Sequence, residues 1–461
     1  MDTPLPPTRS RGAASGVSAT CLVLLTVLLV ARQQQQLGTH DLAALWLVGA
    51  MFIVYVVGSA ALQRVSPTLS VRLAVGGGAV LQLVALRTRP LGTDDYLRYA
   101  WDGRVQAAGI DPYRYPPGAP QLAALRDAWL FPDGVTPRLN HPGDRTIYPP
   151  VAQAWFWLVD VVTGGGGQGR GLQVGAAVLA LLTSVAIVVV LRRRGSDIRG
   201  VAWWAWCPTV VIEAGGNAHV DVLGALLTVA ALGLLADRRW RGGGLVLGLA
   251  VATKLLPALV AVGVPPRRSL RVGLAALAAL GLVYLPHVLV LGTDVTGFLG
   301  GYLREESTDR FALLRAVLPD VVVRPVGWGL LVVTALVLWR RAERDDRAGA
   351  PPRPWVHGAA MVGVTYLLIE PAYPWYALLL VPLVALGAPR RWLAVAAAPY
   401  LVYAAVLFGH AYAGTRVVGY GAAALVVAVV ALWDRRGAVA AWSVAATSGR
   451  RGSAAAPDRG R

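Results

Sequence analysis

Thr93-Asp94-Asp95-Tyr96-Leu97-Arg98-Tyr99-Ala100-Trp101-Asp102-Gly103-Arg104 opens the longest polar region of the chain, directly behind three hydrophobic runs. Two adjacent carboxylates, a third at Asp102, and Arg98 and Arg104 stand where a membrane span should be ending. Which side of a membrane they fall on decides how the rest of the chain is read.

The runs at 15–32, 42–63 and 70–87 are each long enough, at about 1.5 Å per helical residue, for a bilayer core of about 30 Å. Arg64 and Arg72 flank the turn between the second and third, which places that turn in the cytoplasm. The third span then emerges outside, and Asp94 and Asp95 with it. Residues 88–150 follow as a long external loop, rich in proline, aspartate and aromatics. Loops of such length are functional or disordered, and this composition favours an ordered one. The spacing predicts a short helix over 93–108 with Thr93 as N-cap.

The run 151–163 is short, and a span there would leave Arg192-Arg193-Arg194 outside. An interfacial or re-entrant helix, with Trp155 and Trp157 in the headgroup layer, fits better. Later spans are expected near 173–191, 201–214, 218–235, 272–292, 324–340, 357–370, 374–387, 393–409 and 417–434. The run 243–265 obeys the charge rule only as two half-helices turning at Lys254, which returns Arg267, Arg268 and Arg271 to the cytoplasm. The expected fold is an all-α polytopic membrane protein of about 12–14 transmembrane helices with a long extracytoplasmic first loop carrying short interfacial helices. Its parts are a cytoplasmic tail (1–14), three spans (15–87), the external catalytic loop (88–172), the remaining bundle (173–434) and a disordered cytoplasmic tail (435–461). A multi-pass protein of the plasma membrane, with both termini cytoplasmic, is the corresponding expectation.

Composition agrees. The 461 residues are 56% hydrophobic and 15% charged, with a mean hydropathy of +0.55. The net charge of +18 lies in arginine clusters between apolar runs, so it speaks for topology and against a nucleic-acid partner. Cys21 and Cys207 both fall in apolar runs, which excludes a disulfide framework. No nucleotide-binding glycine motif follows a strand, and no cytosolic domain is large enough to hold one. An ATP-driven pump and a nucleotide-sugar donor are thereby disfavoured.

The same topology gathers ionisable groups on the outer side: Asp94, Asp95 and Asp102, then Glu213, His219 and Asp221, then Lys254, then Glu370 beside Tyr376. Charges at membrane depth cost a few kcal/mol each, so they are read as facing a wet cavity. Each also has a plainer reading. Asp95 serves catalysis, caps a helix or pairs with Arg98; Asp102 pairs with Arg98 or Arg104. Glu213 and His219 line a turn or a site. Lys254, the only lysine in the chain, is a snorkelling anchor or a phosphate contact. Tyr113, Tyr148 and Tyr376 are interfacial-belt residues or sugar platforms. Asp94 and Asp95 with Asp221 have the oxygen chemistry for a divalent cation, but no metal site and no cofactor is assigned.

At Asp94-Asp95-Tyr96-Leu97-Arg98-Tyr99 and Gly109-Ile110-Asp111-Pro112-Tyr113 the chain resembles the GT-C superfamily of integral-membrane glycosyltransferases. It looks most like the bacterial polyprenyl-phosphomannose-dependent mannosyltransferases typical of actinobacteria. Tyr148-Pro149-Pro150, the break at Lys254–Pro257 and the turn at Pro374–Tyr376 follow in the same order of parts. One departure is that many members reach the acidic loop after a single span, whereas this chain reaches it after three. The resemblance implies transfer of a sugar, mannose first, from a polyprenyl-phosphate carrier to a glycan or glycolipid acceptor of the cell envelope, outside the membrane. It implies Asp94 as general base with Asp95 in support, and cationic partners for the leaving phosphate, for which Lys254 and Arg98 are the candidates. A secondary transporter or a flippase for lipids or lipid-linked sugars is the competing expectation, because broken helices and mid-membrane charges occur there too.

Overall fold

A computed structural model of the chain describes residues 8–35, 41–165, 167–297, 300–301, 310–408 and 412–452. The ends of the two expected tails, 1–7 and 453–461, lie outside the described residues. Among the described residues all regular structure is helical. The main helices are α1 (Thr8–Gln34), α2 (Asp41–Leu62), α3 (Pro67–Ala85), α4 (Asp95–Ala107), α5 (Pro150–Thr163), α6 (Arg170–Arg193), α7 (Asp221–Ala236), α8 (Trp240–Val251), α9 (Pro266–Leu291), α10 (Asp320–Arg347), α11 (Pro354–Ile369), α12 (Leu393–Phe408) and α13 (Tyr412–Gly452).

Seven of the described helices are long and apolar enough to cross a membrane, and α1, α2 and α3 are the first three of them. The polytopic architecture is the expected one. Several of the other expected spans are shorter: α7, α8, α11 and the segment Pro374–Ala385 are apolar helices of under 18 residues. Long helices such as α9 leave Leu270, Leu274, Leu277, Leu282 and Leu289 exposed, the face that a lipid-contacting helix presents in place of a polar one.

Where a span was expected at 201–214, the chain instead makes a short turn at Ala202–Ala205, breaks at Pro208 and winds into a π-turn over Val211–Gly216. Proline lacks the donor a continuous helix needs, and two glycines at 215–216 weaken the next turn. The freed backbone groups find partners on neighbouring helices. Gln82 Nε2 donates to the Val210 carbonyl (3.3 Å), Gln82 Oε1 accepts from Gly215 N–H (3.0 Å), and Gln173 Nε2 donates to the Gly216 carbonyl (2.8 Å). This irregular backbone persists because two buried glutamines pair it.

The expected hairpin is present, with α8 ending at Val251, a 3₁₀ segment beginning at Leu256, and Lys254 in the break between them.

The long loop after α3 is built on α4 crossing α5. One face of α4 presents Leu97, Trp101 and Val105, which bury against Leu122, Leu130, Phe131 and Leu139 of the loop; each such side chain is worth about 1.5–3 kcal/mol when fully buried. On its other face Tyr99 stacks on Phe156 of α5, 4.4 Å between ring centres. Gly103 permits the crossing, because a Cβ there would sit 2.5 Å from the Phe156 carbonyl oxygen. The helix starts one residue later than expected, with Asp94 rather than Thr93 at the cap position; Thr93 Oγ1 instead accepts from Asp95 N–H at 3.3 Å.

Candidate active site

Asp94 and Asp95 stand at the start of α4, where the partial positive charge of a helix N-terminus favours carboxylates. Both are held by one side chain from the far end of the loop. Asn140 Nδ2 donates to Asp94 Oδ1 (3.0 Å) and to Asp95 Oδ1 (2.9 Å). Asp94 is exposed yet has protein around it, and loss of hydration, followed by the charge of Asp95, pushes its carboxyl above the usual aspartate range. An exposed carboxyl held partly protonatable in this way has the setting of a proton acceptor.

Beneath Asp95 lies His219, fully buried. Its Nε2 is 3.8 Å from Asp95 Oδ2 and 3.3 Å from Thr93 Oγ1. Its Nδ1 is 3.1 Å from Glu213 Oε2, close enough for charge attraction but misaligned for a hydrogen bond. Glu213 itself accepts from Tyr400 Oη (2.8 Å) and Asn217 Nδ2 (2.9 Å). The histidine ring lies flat on Trp375, 3.9 Å away, and Trp375 stacks in turn on Tyr373. The π-turn carries Glu213 inward, and Ala218, in the left-handed region at φ 63°, turns the chain so that His219 follows it under the acids. A side chain with a Cβ rarely adopts that conformation, and such strained positions cluster at functional sites.

Asp221 lies at the start of α7 and accepts from Lys254 Nζ at 2.7 Å. The ammonium also stands 4.7 Å over the Tyr376 ring, a cation–π distance. Lys254 keeps 20% of its side chain exposed and has three N–H donors, so one salt bridge does not exhaust it.

The structure thus brings Asp94, Asp95, Glu213, His219, Asp221, Lys254 and Tyr376 into one network of contacts. Three other candidates lie elsewhere, while Tyr148 adjoins the site through Tyr99, whose hydroxyl donates to Asp95 Oδ2 at 3.4 Å. Arg98 turns into the loop, where it pairs with Asp102 (3.0 Å) and donates to the carbonyls of His141 and Asp144. Tyr113 is buried with its hydroxyl donating to the Tyr148 carbonyl (2.7 Å), and Tyr148 packs edge-on against Tyr99. Glu370 ends α11 and accepts from the N–H groups of Ala312 and Leu313 (2.7 and 2.8 Å), which makes it a cap for the turn Ala312–Arg315. Asp102 keeps a structural role, since its second oxygen accepts from Gln153 of α5 at 2.9 Å.

Among the described residues no group of three or more His, Cys, Asp or Glu side chains converges closely enough to hold a metal ion. Sequence reasoning missed Asn140 as a site residue. It stands 45 positions from Asp95, and its only local signal was the Asn-His-Pro turn that closes the loop.

Residues 146–371 match the model of glycosyltransferase family 87, a little under half of the chain. The matched segment contains Glu213, His219, Asp221 and Lys254 and begins downstream of Asp94 and Asp95. No curated protein matches the chain. In its central part the chain is similar to glycosyltransferase family 87, and the class this supports is a membrane glycosyltransferase acting on a sugar donor and an acceptor.

Proposed function

We propose that the protein transfers mannose from a polyprenyl-phosphate carrier to a glycan or glycolipid acceptor of the cell envelope, on the outer face of the plasma membrane with both termini in the cytoplasm. The observation that carries this reading is the paired carboxylate Asp94–Asp95, clamped by Asn140 and connected through His219, Trp375 and Tyr376 to the single lysine and its partner Asp221. Asp94 takes the proton of the acceptor hydroxyl as its oxygen attacks the anomeric carbon. Asp95, held from below by His219, fixes the alignment of Asp94. Lys254 meets the departing polyprenyl phosphate with the N–H donors that Asp221 leaves free, and Tyr376 flanks its ammonium. A single displacement of this kind inverts the anomeric centre.

Membranes carrying the protein, incubated with radiolabelled polyprenyl-phosphomannose and an envelope lipid extract, test it. Label transferred to acceptor with inverted anomeric configuration is the expected result. Movement of the labelled lipid across proteoliposomes with no transfer product would overturn it in favour of a transporter.

A further inference from the structure

A shallow recess opens on the face of α4 that runs on from the acidic pair. Tyr96, Ala100 and Arg104 recur at four-residue spacing, so they share one face of the helix. Ala100 and Arg104 line the recess with Trp129 of the loop, Asp160 of α5 and Gln168, and four glycines between 165 and 171 add backbone without side chains. It encloses about 20 Å³, enough for one water molecule or one hydroxyl group. Along the helix axis Ala100 and Arg104 stand about 9 and 15 Å beyond Asp94 at 1.5 Å per residue, a gap of roughly two or three linked pyranose rings.

Tyr96 bridges the two places. Asp95 precedes it, and its ring meets Trp129 at 6.3 Å between centres. Gly169, at φ 85°, lets the chain close on that ring, where a Cβ would come within 2.6 Å. Trp129 is half-buried, so part of its ring stays open as an apolar platform of the kind that stacks against the C–H face of a sugar. The polar groups are those that hydroxyls need. Asp160 is half-buried, and its carboxylate makes no hydrogen bond or ion pair among the described residues. Burial pushes that carboxyl above the usual aspartate range, and Arg104 draws it back. Gln168 Oε1 accepts from Arg89 at 2.6 Å, which leaves its amide nitrogen to donate. Arg104, the one cation among the described lining residues, is matched by Asp127 at 2.7 Å. An unmatched carboxylate therefore sets the charge of the recess. A phosphate is repelled there, whereas the hydroxyls of a neutral sugar can donate to it.

We propose that this recess is a subsite for the acceptor glycan. The acceptor lies along α4 with its terminal hydroxyl at Asp94, while an inner sugar rests on Trp129 and places a hydroxyl against Asp160. This rests on the transfer reaction proposed above and makes the acceptor an oligosaccharide rather than a single sugar. The full chain in lipid nanodiscs, with no donor present, is titrated with linear α-mannotriose or methyl α-mannoside, and binding is followed by saturation-transfer NMR. The trisaccharide should bind about tenfold more tightly than the monosaccharide, the gain expected of one stacked ring and one charged hydrogen bond. Trp129→Ala should erase that preference, and Asp160→Asn, which keeps the shape of the side chain, should reduce it severalfold. The readout needs no turnover, so a chain that binds in this pattern but transfers no mannose upholds the subsite and counts against the transferase reading alone. Equal binding of the two sugars would overturn the subsite even where mannosyl transfer is robust. So would a trisaccharide preference left intact by either variant.

Discussion

Asn140 donates a hydrogen bond to Asp94 at 3.0 Å across 46 residues of the loop that follows α3. The same amide nitrogen reaches Asp95 at 2.9 Å, so two like charges that would repel are held side by side. Replacing Asn140 by Ala removes both bonds, each worth about 1.5–3 kcal/mol to a charged acceptor. Turnover should fall at least about tenfold with the donor KM nearly unchanged, because the loss is one of alignment rather than of binding. Asn140→Asp, which adds a third negative charge, should lose more. Steady-state kinetics of the two variants check this ordering.

The acid limb of the activity profile gives a separate check. Asp94 acts ionised, and its carboxyl is pushed up by burial and by the charge of Asp95. Activity therefore falls as pH drops through a value above the ordinary aspartate range. Asp95→Asn removes one of the two causes, so the residual activity should persist to lower pH than in the wild type. A limb that stays in place or moves upward would show that Asp95 does not act on Asp94.

Lys254 is tied to Asp221 at 2.7 Å. Lys254→Ala removes a point charge from the proposed phosphate contact and should raise the donor KM about tenfold or more. Lys254→Arg should recover part of that loss, since it restores the charge with a different geometry. Kinetics at varied donor concentration separate this from a defect in acceptor use.

The loop beneath the site depends on a buried ion pair. Arg98 and Asp102 have side chains only 4% and 3% exposed. Asp102→Ala strands the guanidinium and should cost about 3–5 kcal/mol, seen as a lower thermal midpoint and faster proteolysis within 88–150. Arg98→Met/Asp102→Leu, which removes both charges, should recover much of it.

The sequence and the structure agree where a strong local rule acted. Charge asymmetry located the break at Lys254, because arginine placement is governed by the membrane rather than by tertiary contacts. The break at Pro208–Gly216 was not legible, since an apolar run of that length reads as a span until Gln82 and Gln173 are seen to pair its backbone. Arg98 had two readings, a pair for Asp102 and a phosphate partner, because charge type alone does not say which way a side chain points. Its partner Asp102 lies one helical turn away and wins it. Asn140 escaped notice because an uncharged amide leaves no trace in a charge pattern.

The most direct measurement is mannosyl transfer by Asp94→Asn beside the wild type, both purified in lipid and matched for fold by thermal midpoint. The substitution keeps the shape and the neighbour Asn140 but removes the proton acceptor. Loss of transfer by about 10²–10⁴-fold with donor binding retained is the expected result. Transfer that continues undiminished in Asp94→Asn would contradict the assignment of Asp94 as the base.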